Sequence, residues 1–360
     1  MTHTKTASVD LHWQNNDRAC HAKFDLSAGV TALVGPSGAG KTTLARILCG
    51  LNSDAKGSIH LKGRTLLDSD SGTRLKPEAR NIGMVMQDPA LFPTMSVRAN
   101  IMMGANVREE KLKELLDIAA LDTLLDRMPA TLSGGEARRA AIVRAMAAEP
   151  KLLILDEPMN GLDPKRRRAV MALIRRLAHA ADTAVLLITH QLEEMLFAAD
   201  QALLMEDGHI VQQGSVETVL SAADTGRLLA IDDAGTLLTA TVKARAEQLL
   251  TTDIGGDHLY IADDAEPIGA RLRLRILARD IALSLKPIDQ ISVLNQLRAD
   301  IISIEKGERD DLITVKLAKS KNSLRCKITK KSTAALKLKV GTKVVCLIKA
   351  VAVKELLSDI

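Results

Sequence analysis

Aromatic side chains are nearly missing from this chain, which has three Phe, one Tyr and one Trp in 360 residues. Its cores must therefore be filled by Ala, Leu, Ile and Val, and a nucleic-acid surface built on stacked bases has little to stack with, so nucleic acid is disfavoured as a partner. Cysteine is also scarce. Cys20, Cys49, Cys326 and Cys346 are scattered without C-x-x-C spacing, which implies neither a thiolate zinc site nor a disulfide framework and leaves buried or incidental thiols. No apolar run approaches the roughly 18 residues that cross a bilayer, and no charged-then-apolar leader opens the sequence. A cytoplasmic protein is expected, touching a membrane only through a partner. Most of the chain lacks a charge excess. Residues 291–360, however, carry 15 Lys/Arg against 7 Asp/Glu, and this basic end reads as a solvated face or as an anion or partner surface.

Against these absences stands Gly35-Pro-Ser-Gly-Ala-Gly-Lys41-Thr42, with the G-x-x-x-x-G-K-[ST] spacing of a phosphate-binding loop. Gly35, Pro36, Ser37, Gly38, Ala39 and Gly40 curl so that successive N–H groups face a polyphosphate. Lys41 adds charge at its β/γ end, and Thr42, followed by Thr43, offers a hydroxyl to Mg2+. Val30–Val34 suits a buried strand, and Leu44, Ile47, Leu48 and Leu51 recur at helical spacing. Strand, loop and helix in this order aim a helix N-terminus at the phosphates.

Upstream, Val9, Leu11 and Trp13 alternate with Asp10 and His12, as in a half-buried strand. Trp13 is open to two readings, a strand aromatic at the core or an indole stacked on adenine. Lys56–Gly63 reads as a hairpin. Ile82–Gln87 reads as a strand whose terminal Gln87 reaches Mg2+ or an attacking water, and the Pro-bounded loop after it as a contact surface. Leu112, Leu115, Leu116 and Ala119 mark an amphipathic helix within 107–127. Leu132-Ser-Gly-Gly-Glu136 opens another helix. Ser133 and Glu136 have capping-box spacing there, and Gly134 and Gly135 expose backbone where a helix N-terminus receives an anion.

Lys151–Pro158 combines four apolar residues of a buried parallel strand with two terminal carboxylates. Asp156 suits Mg2+, while Glu157 suits a water attacking a γ-phosphate. Consecutive acids at such a strand end are costly unless paired or ligating. Asn160–Asp163 reads as a turn, and Ala184–Thr189 as a buried strand delivering His190 to the same water. Alternating strands and helices give a mostly parallel sheet with ligand at the strand C-termini. A connector is expected at 216–235. Past it the period falls to 2, with Leu272, Leu274 and Ile276, then Ile281, Leu283 and Leu285, then Leu324, Cys326 and Ile328, so 236–360 is expected to form a small β-barrel.

Taken together, these residues resemble the ATP-binding subunits of ABC transporters. The Walker A loop is Gly35–Thr42, the Q-loop glutamine Gln87, the signature Leu132–Glu136, the Walker B strand Leu152–Asp156, the catalytic glutamate Glu157, the D-loop aspartate Asp163 and the switch histidine His190. The resemblance implies an α/β P-loop NTPase domain over residues 1–215, with a helical signature subdomain at about 88–150. It implies ATP and Mg2+, the metal on Thr42, Gln87 and Asp156, and a homodimer in which Ser133, Gly134, Gly135 and Glu136 of one chain close over ATP held by the other. Glu136 stands where the family commonly has glutamine, and Asn160-Gly161 where it has Ser-Ala or Ala-Ser.

Residues 291–354 resemble a Mop/TOBE module, which implies an OB-like all-β barrel as the C-terminal domain and points to the ATP-binding proteins of molybdate importers. Where the Mop pattern reads Ser-Ala-Arg-Asn, this chain has Ser292-Val-Leu-Asn295, without the arginine. Ser292, Lys327 and Ser332 are the candidate oxyanion partners. The implied protein is an ATPase at the cytoplasmic face of the inner membrane, peripheral to it. It would power uptake of molybdate or tungstate through permease subunits fed by a periplasmic oxyanion-binding protein. An importer ATPase for sulfate, iron or a sugar is the alternative, and an oxyanion-binding regulatory module a second.

Overall fold

The computed structural model describes residues 5–15, 18–180, 183–221, 235–263, 266–320 and 322–359. They divide into two units, Met1–Leu229 and Ala230–Ile360.

The first unit begins with β1 (Lys5–Asn15), β2 (Arg18–Ser27) and β3 (Gly29–Val34), then α1 (Lys41–Cys49), β4 (Lys56–Leu61), β5 (Arg64–Asp68) and the short β6 (Thr73–Arg74). β7 (Ile82–Val85) leads to three helices, α2 (Val97–Met102), α3 (Glu109–Ala119) and α4 (Gly134–Ala147). β8 (Leu152–Asp156), α5 (Pro164–Ala180), β9 (Ala184–Ile188), α6 (Leu192–Ala198), β10 (Gln201–Glu206), β11 (His209–Ser215) and α7 (Val216–Ser221) complete it. The strands make one sheet in the order β6-β5-β4-β1-β2-β11-β10-β3-β9-β8-β7.

Only the run β10-β3-β9-β8-β7 is parallel throughout. The expectation of a mostly parallel sheet is thereby corrected, because β1–β2, β4–β5 and β10–β11 are joined by turns too short for a crossover and must pair antiparallel. Every residue of β3, β8 and β9 is buried, as strands covered on both faces require. Their order puts the C-terminal ends of β3, β9 and β8 side by side.

Three boundaries differ from expectation. The strand expected at 82–87 ends at Val85, leaving Met86 and Gln87 exposed beyond it. The helix expected in 107–127 ends at Ala119, because Ala120 takes a left-handed φ of 49° and caps it. The first unit also runs past 215. The helix α7 packs on β10 and β11, so the start of the expected connector belongs to the first unit, and its residues 222–234 lie outside the described residues. Within 88–150, α2 and α3 both pack on α4.

The second unit holds β12 (Gly235–Ala246), β13 (Leu249–Asp253), β14 (His258–Ala262), β15 (Arg271–Leu277), β16 (Ile281–Ser284), β17 (Asn295–Lys306) and β18 (Asp310–Leu317), then β19 (Ser323–Thr329), α8 (Lys330–Ala335), β20 (Lys343–Ile348) and β21 (Lys354–Asp359). They form two antiparallel sheets, β14-β13-β12-β15-β21 and β16-β20-β17-β18-β19, around one aliphatic core. The edge strands β16 and β19 lie against each other, so the second sheet curls toward closure. Leu272, Leu274, Ile276, Ile281, Leu324, Cys326 and Ile328 point into this core as their alternation implies, whereas Leu285 lies past the end of β16 and is exposed. All four cysteines are buried thiols, and burial pushes the Cys49 thiol up to about 11.

Candidate nucleotide site

The loop after β3 turns against β10. At Gly35, with φ of 156°, a Cβ would stand 2.1 Å from the Met205 carbonyl oxygen, so only glycine fits. The loop ends at Gly40, the N-cap of α1, with no side chain capping the helix N-terminus; the first N–H groups of α1 thus have no capping side chain competing for them. Lys41 is 6% exposed, and its Nζ donates to the carbonyls of Gly35 at 2.9 Å and Pro36 at 2.8 Å. Burial lowers its pKa, against the pull of the nearby Glu157 and Asp156 charges. At the other end of α1, the fully buried Arg80 donates Nη1 to the carbonyls of Ile47 at 2.9 Å and Leu48 at 2.8 Å, so a cation meets the negative end of the helix dipole.

Two acids follow β8. Asp156 is 7% exposed, and its Oδ1 has no hydrogen-bond partner. Burial raises its pKa, and a hydrogen bond with the Thr42 side chain opposes the rise. A buried carboxylate oxygen facing a threonine hydroxyl beside a phosphate loop is an oxygen-donor set that fits Mg2+. Glu157 turns outward on a left-handed φ of 47°, a conformation that costs a non-glycine residue free energy and recurs at working sites. Both of its oxygens are held. His190, just past β9, donates Nδ1–H to Oε1 at 2.9 Å, and Asn160 donates its amide to Oε2 at 3.1 Å. The β8 and β9 ends thus join acid and histidine 33 residues apart in sequence.

Below His190, Thr189 donates its hydroxyl to Glu194, which lies in α6 and is buried. Burial raises the Glu194 pKa, while that bond and the Arg167 charge draw it down. Asp163 accepts the backbone N–H of Arg166 at 3.0 Å, so its side chain starts α5.

The capping box at the start of α4 is formed as its spacing implies, with Ser133 N–H donating to Glu136 Oε2 at 2.7 Å. Arg138, one turn further on, was not singled out from the sequence. Its guanidinium donates to the carbonyls of Gln87 at 3.0 Å, Asn160 at 3.2 Å and Pro158, tying α4 to both the loop at Gln87 and the carboxylate turn. The available signal was a charged residue four positions before Ile142, on the apolar stripe of its helix. Arg144 and Asn100 brace the loop beyond Gln87. Arg144 donates to Ala90 at 2.9 Å and Pro89 at 3.3 Å and lies over the Phe92 ring, and Asn100 both accepts from and donates to the Phe92 backbone. Trp13 is 4% exposed and packs in the core beside Gly40. This burial favours the core reading of that residue, since no indole face is open to stack on a base.

Residues 21–160 match the ABC transporter family and residues 291–354 the TOBE domain. The molybdenum import ATP-binding protein ModC of Paramagnetospirillum magneticum is 35% identical across 96% of this chain and 97% of its own length. ModC of Thiobacillus denitrificans is 38% identical across 90% and 91%. This chain belongs to the ModC family. The ModC relative from Escherichia coli is also 35% identical, across 90% of this chain and 93% of its own. Among solved structures, cbiO1 from Clostridium perfringens, part of the ABC transporter complex cbiONQ, matches with a TM-score of 0.53 at 26% identity, covering 62% of this chain and 93% of its own. An ATP-binding cassette of an ABC transporter in its ADP conformation shares the fold, with a TM-score of 0.55 at 22% identity over 64% of this chain and 99% of its own.

In this ModC-family chain the candidate oxyanion residues fall on separate elements. Ser292 is exposed in the segment before β17. Lys327, in β19, lies 4.0 Å from Asp310, and Ser332, in α8, shares a 2.9 Å hydrogen bond with Thr329, the N-cap of that helix. Asn295, which ends the Mop-like quartet, is buried and works between sheets, accepting the Tyr260 N–H at 2.7 Å and donating to the Tyr260 carbonyl at 2.9 Å.

Proposed function

We propose that this chain is the ATP-hydrolysing subunit of an ABC importer that takes up molybdate or tungstate through a membrane permease. The observation that carries the ATPase reading is the meeting of Lys41, Asp156, Glu157 and His190 at adjoining strand ends, with both oxygens of Glu157 held. The substrate reading rests on the ModC relatives and the TOBE match.

When ATP enters, Lys41 exchanges its two loop carbonyls for β/γ-phosphate oxygens, and the N–H groups from Gly40 to Thr43, at the start of α1, line the phosphates. Mg2+ would sit on Thr42, Asp156 and Gln87, where it neutralises phosphate charge. Glu157 accepts a proton from the attacking water. His190 and Asn160 keep that carboxylate aimed, so its orientation is set before the substrate arrives.

Ser133, Gly134 and Gly135 of a second copy complete the site, presenting a capped helix N-terminus to the γ-phosphate. Glu136 stays in its own capping box, and Asp163 sits at the turn that follows the site. The permease docks on the helical subdomain around the Gln87–Phe92 loop, where Phe92 is 45% exposed and Met86, Met102 and Met103 are also open. No helix among the described residues is long and apolar enough to cross a membrane. The chain works at the cytoplasmic face, held there by the permease, with a periplasmic oxyanion-binding protein supplying the solute.

The test is reconstitution of the chain with its permease in proteoliposomes, with binding protein loaded with molybdate, tungstate or sulfate. Stimulation of ATP hydrolysis by molybdate and tungstate, and not by sulfate, is the expected result. Stimulation by sulfate alone would overturn the substrate assignment and leave the ATPase assignment standing.

A further inference from the structure

Two imidazoles and a carboxylate meet on the solvent face of the β1–β2 hairpin, among residues the nucleotide site does not use. The alternation that buries Leu11 and Trp13 turns Asp10 and His12 outward. Strand register then sets His12 opposite His21 and Asp10 opposite Lys23. The two imidazole rings stack with centroids 4.1 Å apart and planes 5° from parallel. Asp10 Oδ1 stands 2.8 Å from His21 Nε2 and 3.8 Å from His12 Nε2. Its other oxygen is engaged by Lys23 Nζ at 3.0 Å.

From this arrangement we propose that the hairpin binds a borderline divalent transition ion, Zn2+, through His12, His21 and Asp10. The three donors lie within 4.8 Å of one another. An ion about 2.0–2.1 Å from each ligand in tetrahedral geometry needs donors roughly 3.3 Å apart, and the two oxygen–nitrogen distances of 2.8 and 3.8 Å bracket that value. Antiparallel register brings the imidazoles side by side without help from the metal; on binding, the His21 Nε2–Asp10 hydrogen bond gives way to the ion and the stacked rings turn so that their Nε2 lone pairs converge.

The chemistry of the donors selects the ion. Two imidazoles favour Zn2+ over Mg2+, which takes oxygen ligands. Lys23 acts in two ways. It fixes the carboxylate so that Oδ1 faces the rings, and its charge opposes the cation, so the site is weaker than a closed structural one. His209, on β11, is the register neighbour of His21 and faces outward with it. Its Nδ1–H is donated to the Asp207 carbonyl at 3.0 Å, which leaves Nε2 as a lone-pair donor on the adjoining strand.

The experiment is calorimetric titration of the untagged full chain with Zn2+ in excess Mg2+, alongside the double variant His12→Asn/His21→Asn and Asp10→Asn. Expected are one Zn2+ per wild-type chain, loss of that event in the double variant, and affinity lowered about tenfold or more in Asp10→Asn. The double variant should keep its unfolding midpoint without metal and lose the Zn2+-dependent rise seen in the wild type. No stoichiometric Zn2+ event in the wild type would overturn the proposal. Equal binding by the double variant would also overturn it, by placing the ion elsewhere.

Discussion

At the strand ends of the first unit, Asp156 keeps a buried carboxylate oxygen without a partner and Glu157 holds a left-handed backbone, whereas the candidate oxyanion residues of the second unit sit relaxed. Lys327 has Asp310, and Ser332 is hydrogen-bonded to Thr329, the N-cap of α8. Asn295 spends its amide joining two sheets. The second unit does bury one unpartnered carboxylate oxygen, on Asp311 in β18. Polar groups left wanting by the fold are the ones a ligand can satisfy, because desolvation has already been borne by the folded chain. By that criterion the nucleotide site is built for its ligand, and the three oxyanion candidates are surface groups already engaged nearby or open to water.

The sharpest break of this contrast is Glu157→Gln. ATP binding should persist while turnover falls by about 10^3-fold, within the usual range for losing a general base; phosphate release at the wild-type rate would remove Glu157 from the chemistry. Next comes Asp156→Asn. It should weaken Mg2+-dependent nucleotide binding about tenfold or more, yet raise the melting temperature of the nucleotide-free chain, since it removes a buried carboxylate whose charged form is disfavoured. Lowered stability in that variant would show that Asp156 is satisfied after all.

Acidity tests the same residue with no mutation. The raised pKa of Asp156 means that the folded chain binds this proton more tightly than the unfolded chain does. Its contribution to apo stability is therefore complete below the ordinary aspartate value and is lost as pH rises through the raised one. Metal binding needs the ionised form and runs the other way. Mg2+-dependent ATP affinity should fall on acidification at a higher pH than an ordinary aspartate would give, and Asp156→Asn should flatten the profile.

Smaller effects separate the two units further. Asn160→Ala should cost about 1 kcal/mol of orientation at Glu157, roughly fivefold in turnover, with Asn160→Gln failing to restore it if reach decides. In the second unit, Thr329→Ala removes the cap of α8 and should cost about 1 kcal/mol of stability. ATP turnover of the isolated chain should not move; if it does, the two units are coupled more tightly than their separate cores imply.

The site was legible from short-range signals. Gly35, Lys41 and Thr42 lie within one turn of chain, and the Ser133–Glu136 box spans four residues, so spacing alone specifies their geometry. Asp156 and Glu157 could be read because two acids after four apolar residues have no cheap structural reason. Arg138, Arg144 and Asn100 could not. Their partners are mostly backbone carbonyls and amides 4 to 55 residues away, and a carbonyl leaves no mark in a residue pattern. Asn160 departs from the family turn, but its bond to Glu157 depends on the left-handed backbone between strand and turn.

By itself the sequence determined the class of each unit, the strand–loop–helix around Lys41 and the change of period near residue 236, because these depend on contacts a few residues apart. Tertiary structure decided the strand order that sets β3, β9 and β8 side by side, the split of the sheet into parallel and antiparallel halves, and the burial of Trp13. It also decided the meeting of His12 with His21. Those outcomes follow from which strand pairs with which, and pairing is settled by the packing of whole faces rather than by any local run of residues.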